Sequence, residues 1–110
     1  MSERPENTQK LLSCLGLCVR AGKVTFGVPM ICEALRKGGR NAPLIVLEAA
    51  DTSENTHKRL TDKCSFYGTR LVRIECTGEM LAKRLGKSGS LAAVAIGDKS
   101  LCVMVEQYLV

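Results

Sequence analysis

The sequence predicts an α/β fold, a three-layer α-β-α sandwich around a small sheet that is mixed but largely parallel. Three observations carry this expectation. Helical and strand-like patterns alternate along the whole chain. The apolar runs LIVL, Leu44 to Leu47, and LAAVAI, Leu91 to Ile96, have the unbroken character of strands covered on both faces. Glycines stand where the first four helical patterns stop, at Gly22, Gly38-Gly39, Gly68 and Gly86.

The elements follow in order. Residues 1–6 read as a disordered tail, ahead of one domain over residues 7–110. Asn7 or Thr8 can cap a helix to about Ala21, with Leu11, Leu15 and Cys18 on one stripe and Leu12 and Val19 widening it. Lys23 to Phe26 is a short strand. Gly27 opens a second helix whose Val28, Ile31, Cys32 and Leu35 fall at i, i+3, i+4 and i+7, and Pro29 is tolerated in its first turn. After the strand Ala42 to Glu48, Asp51 and Glu54 stand in a capping-box relation. They start a helix that turns Leu60 and Cys64 inward. Arg70 to Glu75 is a strand, and Thr77 caps a helix to Leu85 with Leu81 and Leu85 as an apolar pair. The LAAVAI strand leads to a last helix, capped by Asp98 or Ser100, with Leu101, Cys102, Val105 and Leu109 on one side.

At 110 residues the chain is long enough for a core without covalent staples. It has no apolar run of membrane-spanning length, and MSERPENTQK does not resemble a targeting peptide, so a soluble cytoplasmic protein is expected. The 6 cysteines lack a C-x-x-C and a histidine partner at metal-binding spacing. Cys18, Cys32, Cys64 and Cys102 sit at apolar-periodic positions and read as small core residues. No metal and no cofactor are expected.

The segment RLGKSGS, Arg84 to Ser90, invites comparison with a nucleotide-binding P-loop, but it fails on two counts. The motif needs a glycine where Leu81 stands, and it must leave a strand to enter a helix. Here a helix precedes and a strand follows. His57, within THKRL, reads as a solvated helix-surface histidine, and Asp51, Glu54 and Asp62 as caps and surface charges. With no nucleophile elbow and no tuned acid–base pair, no enzyme is expected. Phe26, Phe66, Tyr67 and Tyr108 do not form the stacking platform of a single-strand binder.

A net charge of +5 inclines the chain toward polyanions, while charge alone fits a solubilising surface equally well. Gly27 at a helix N-cap offers backbone N–H groups and a positive dipole end to phosphate, with no side chain in the way. Arg20, Lys23, Arg36 and Lys37 are the candidate phosphate contacts around it. The basic, glycine-marked segments RAGKVTFG and LGKSGS are the two candidate contact regions.

Three segments, LGLCVRAGKVTFG (Leu15 to Gly27), DTSENTHKRLTDKC (Asp51 to Cys64) and LGKSGSLAAVAIGD (Leu85 to Asp98), give the chain a resemblance over Lys10 to Leu109. It resembles the ribosomal protein L-seven-Ae / L-thirty-e family of kink-turn RNA-binding proteins, in its bacterial YlxQ-like branch. The resemblance implies an L-thirty-e-like sandwich and binding of structured RNA, often ribosomal RNA in ribosomes alongside ribosomal proteins or in other ribonucleoproteins, by a monomer. It places the helix beginning at Gly27 and Val28 in the RNA groove, and the loop Lys87, Ser88, Gly89 and Ser90 over the RNA as a second contact. Kink-turn binders carry Asn, Glu and Lys where this chain has Pro29, Met30 and Glu33, and apolar or acidic residues where it has Lys87-Ser88-Gly89. Two rivals stand beside this expectation. One is a protein-interaction module in which Val28, Pro29 and Met30 form an apolar docking patch; the other is a small redox protein using a cysteine.

Overall fold

The computed structural model describes residues 5–109. The elements are α1 (Pro5–Arg20), β1 (Val24–Phe26), α2 (Val28–Lys37), β2 (Ile45–Glu48), α3 (Glu54–Tyr67), β3 (Arg70–Arg73), α4 (Gly78–Arg84), β4 (Ala93–Ile96) and α5 (Lys99–Glu106). The expected tail falls outside the described residues up to position 4. The first helix begins at Pro5, ahead of the Asn7 or Thr8 cap, as proline's fixed φ suits a first turn. Thr77 and Asp98 cap α4 and α5 as expected, accepting from the N–H of Met80 and Leu101. Gly68 ends α3 in the left-handed conformation.

The strands lie in the order β1-β4-β2-β3. The α/β class holds, but the sheet departs from the expected parallel pairing: β1·β4 and β2·β4 are antiparallel, and β2·β3 alone is parallel. The registers give the reason. Since β4 runs against both β1 and β2, those two point the same way, and β3 joins them. The helices α2 and α3 therefore return the chain to the starting edge, as a parallel crossover requires. The connection through α4 does not. β3 ends at Arg73 beside Glu48, and β4 starts at Ala93 beside the same Glu48. With the reversed β4 slotted between β1 and β2, two of their ladders become antiparallel. Alternation of helix and strand in a sequence says nothing about which edge each connection regains.

Side chains alternate along the two central strands and divide the core. Ile45, Leu47, Val94 and Ile96 face a layer containing Leu11, Leu12, Leu15 and Cys18 of α1, Leu81 of α4, and Cys102 and Val105 of α5. Val46, Ala93 and Ala95 face Val28, Ile31 and Leu35 of α2 and Leu60 and Cys64 of α3. Both central strands are buried at every position, as their unbroken apolar runs imply. Each fully buried leucine here contributes about 1.5–3 kcal/mol relative to exposure. Among the described residues no helix is long and apolar enough to cross a membrane.

Candidate functional site

The sheet has two edges across its strand ends, and they divide the candidate residues. At one edge β1, β2 and β3 finish and β4 begins. Gly27 lies here with φ 83°, donating its N–H to Ala93 O at 3.0 Å. It opens α2 without a side-chain cap and with no acidic residue in the first turn. By contrast α3, α4 and α5 each begin under a side-chain oxygen, from Ser53, Thr77 and Asp98. The early N–H groups of α2 thus keep their hydrogen-bonding capacity and sit at the positive end of the helix. Pro29 has none to give, so the donors are those of Val28 and Met30. The Val28 side chain is buried in the α2/α3 core, so this residue presents only its backbone. The expected apolar patch shrinks accordingly to Pro29 and Met30, the latter 60% exposed.

The loop from Gly86 to Leu91 lies beside this helix start. Lys87 Nζ is 4.3 Å from the centre of the Phe26 ring, one residue before Gly27. This cation–π contact is worth about 0.5–1 kcal/mol at an exposed site and holds the lysine over β1. Gly86 and Gly89 take φ of 75° and 77°, which lets so short a loop turn from α4 into β4. Lys87, Ser88, Gly89 and Ser90 are all exposed. The loop runs from helix to strand, the reverse of a P-loop.

Backbone contacts fasten the rim from behind. Leu91 N–H donates to Gly78 O at 3.0 Å, Ala49 N–H to Ala92 O at 2.8 Å, and Ala50 N–H to Cys76 O at 2.8 Å. Asp51 does not cap α3, which Ser53 caps instead. Its Oδ1 accepts from Gly78 N–H at 2.9 Å, tying the loop after β2 to the start of α4. A Cβ on Gly78 would stand 2.4 Å from Ser90 Oγ and 2.8 Å from Leu91 O, so only glycine allows the loop to close on α4. Glycine at the first position of a helix, where it costs up to about 1 kcal/mol against alanine, was the sequence signal for this close approach.

Glu48, fully buried at the end of β2, adds a group that the sequence did not mark as functional. Strand alternation turns it toward α3, where His57 Nδ1 lies 2.8 Å from both carboxylate oxygens. Arg73 approaches to 3.7 Å from the end of β3. His57 is therefore paired and not merely solvated, contrary to expectation. A glutamate closing an otherwise apolar strand was the available signal, since a carboxylate in that place needs a partner.

Four of the expected contacts lie at the other edge. Lys23 precedes β1, and its carbonyl accepts from Gly97 N–H at 3.2 Å, just after β4. Four residues of extended chain put it about 13 Å from Gly27. Arg20 ends α1 beside it. Arg36 and Lys37 close α2, about 14 Å along the helix from Gly27. Arg36 is also engaged by Glu33, with Nε to Oε1 at 3.2 Å and a second contact beside it. That pairing holds the Glu33 carboxyl below its usual range and directs it to Arg36. Gly27, Val28 and the Lys87–Ser90 loop thus belong together; Arg20, Lys23, Arg36 and Lys37 form a separate group.

No two cysteines are joined in a disulfide among the described residues, and all but Cys32 are buried. Burial pushes the Cys18 and Cys64 thiols up to about 11 and raises Cys14 and Cys102 as well. Thiols so placed stay protonated at neutral pH, the opposite of a redox nucleophile. Among the described residues no group of three or more His, Cys, Asp or Glu could hold a metal ion.

Against known proteins, no family model matches the chain. It is 34% identical over 85 residues, 77% of its own length and 80% of the relative's, to the RNA-binding protein YlxQ of Bacillus subtilis (strain 168). The chain belongs to the YlxQ family. A second YlxQ, named an RNA-binding protein of Enterococcus faecium, is 39% identical over 61 residues, 56% of each chain. YlxQ family membership agrees with the structural likenesses. A protein of unknown function from Bacillus halodurans matches with a TM-score of 0.79 at 25% identity, over 90% of this chain and 95% of its own. The Giardia lamblia 15.5kD RNA binding protein matches with a TM-score of 0.75 over 97% and 88%, and at 18% identity it shares the fold.

Proposed function

We propose that this YlxQ-family protein binds structured RNA without catalysing a reaction, using the rim formed by the start of α2 and the Gly86–Leu91 loop. The observation that carries this reading is the placement of an uncapped helix N-terminus next to Lys87 and a doubly glycine-hinged loop. Such a start offers oriented N–H groups to phosphate, and the lysine adds a positive charge. The names of the YlxQ relatives, and of the Giardia protein that shares the fold, point the same way.

Pro29 and Met30 have no side-chain group that hydrogen-bonds a base edge. Recognition therefore rests on backbone donors and on the shape of the RNA, and the kink-turn pattern of side-chain contacts is not how this chain selects its target. The RNA is ribosomal or ribosome-associated, and the protein meets it in the cytoplasm as a monomer. Gel shifts with a set of folded RNAs at low and high salt test the reading: retardation weakens as salt rises, and failure on every RNA at low salt overturns it. Crosslinking in cells, followed by sequencing, names the RNA. The exposed Pro29 and Met30 favour one rival, docking of a protein on the same rim. Co-purification of a stoichiometric protein partner with no RNA would establish that rival instead.

A further inference from the structure

The edge opposite the rim gathers Arg20, Lys23, Lys37, Arg40 and Lys99, all exposed and, among the described residues, in no ion pair. They come from separate parts of the sequence and are brought together by the backbone. Lys23 O accepts from Gly97 N–H at 3.2 Å, and Leu44 N–H donates to Ile96 O at 2.8 Å. A Cβ on Gly97 would meet Asn41 O at 2.5 Å, so the Arg40 loop lies directly against the turn that leads to Lys99. The acids nearby are engaged. Glu33 pairs with Arg36, Glu106 with Arg70, and Asp98 Oδ1 accepts from Leu101 N–H at 3.0 Å.

Helix chemistry accounts for part of this cluster. Arg20 and Lys37 lie in the last turns of α1 and α2, where a cation is favoured by the helix dipole. It does not account for Lys23 or Arg40, which are on loops. Nor does it call for Lys99, which occupies the first turn of α5 just after the Asp98 cap. Three cations that helix ends do not call for, at one edge with Arg20 and Lys37, concentrate positive potential there.

We infer that this edge is a second RNA-binding face, engaging a phosphate backbone separate from the one at the rim, so that one molecule bridges two RNA segments. The inference rests on the RNA-binding reading of the rim. The two faces are separated by the length of the strands, about 13 Å, beyond the ~8 Å over which charges communicate at physiological salt. Each is thereby free to hold its own polyanion.

The test is a sandwich capture. A short immobilised RNA duplex is loaded with the full-length protein, and a labelled copy of the same duplex is then added at about 50 mM and about 200 mM salt. The wild-type protein loads and captures the labelled duplex, more weakly at the higher salt. A Lys23→Ala/Lys37→Ala/Arg40→Ala/Lys99→Ala variant loads through the rim, but its capture falls about tenfold or more, as loss of several phosphate contacts dictates. An Arg40→Gln/Lys99→Gln variant, removing two exposed charges, shows an intermediate fall. Loading without capture by the wild type, or undiminished capture by the charge variants, overturns the second face and leaves the rim standing. No loading by the wild type at low salt also overturns the second face, while the rim stands or falls separately by the gel shifts on folded RNAs.

Discussion

The two edges of the sheet differ in what they would offer an anion. The rim uses little net charge: one lysine, an uncapped helix start, and loops tied down from behind by Asp51, Gly78 and the Glu48–His57 contact. Among the described residues the opposite edge shows no such side-chain network and displays cations in no ion pair, on helix ends and loops. Oriented backbone donors fix direction and distance, whereas flexible lysines supply attraction with little geometry. Within one sheet, then, oriented backbone donors and exposed charge are segregated to different ends.

The largest effect that separates the edges is expected at Glu48. His57→Ala leaves a buried carboxylate with, among the described residues, the 3.7 Å Arg73 contact, and destabilises the fold by about 3 kcal/mol, as an unsatisfied buried charged group does, read by chemical denaturation. A further Glu48→Leu change recovers much of that loss; if His57→Ala alone is neutral, the pair does not hold the rim. Next come the close-approach glycines. Gly78→Ala and Gly97→Ala each cost roughly 1–3 kcal/mol through overpacking against backbone oxygens. Gly78→Ala shifts the Ser90 loop and weakens RNA retardation at the rim, while Gly97→Ala moves the Arg40 turn and spares it. Equal effects of both on rim binding would erase the distinction between the edges.

A smaller change follows from single charges. Lys87→Ala lowers the slope of log affinity against log salt by about one unit with the melting temperature nearly unchanged. Lys23→Ala acts independently of it, since the sites lie more than about 10 Å apart. A double variant whose loss departs from the sum of the singles would place both lysines on one RNA contact. The smallest effect concerns the thiols. At pH 8 a maleimide or iodoacetamide reagent modifies Cys32 first, while Cys18 and Cys64, raised to about 11, lag. Their thiolate fraction rises tenfold for each pH unit below that value. Fast labelling of Cys18 in the folded protein would reopen the redox rival.

Local signals made most elements legible in the sequence. Gly22, Gly68 and Thr77 are punctuation whose stereochemistry is set by the residue itself, and the LIVL and LAAVAI runs announced buried strands over Ile45–Leu47 and Ala93–Ile96, whereas Leu44, Leu91 and Ala92 precede the strands and are partly or wholly exposed. What was not legible depends on distance through space. Lys23 and Gly27 are four apart in sequence, which puts them on one helix face but at opposite ends of a strand. Sequence proximity therefore suggested one site where the structure has two edges. The pairing of His57 with Glu48 and the use of Asp51 by Gly78 join different elements across a loop, and no periodicity encodes such meetings. The adjacency of the Gly27 turn to the Lys87 loop came from family resemblance, because β4 had first to be known as the neighbour of β1.

That placement of β4 bears on how the molecule is made. Until Ala93–Ile96 emerges, the growing chain can complete only the β2·β3 ladder, and β1 waits with no strand to pair with. Because both antiparallel ladders close around β4, the two halves become cooperative only once Ala93–Ile96 has been made, in a single closing event.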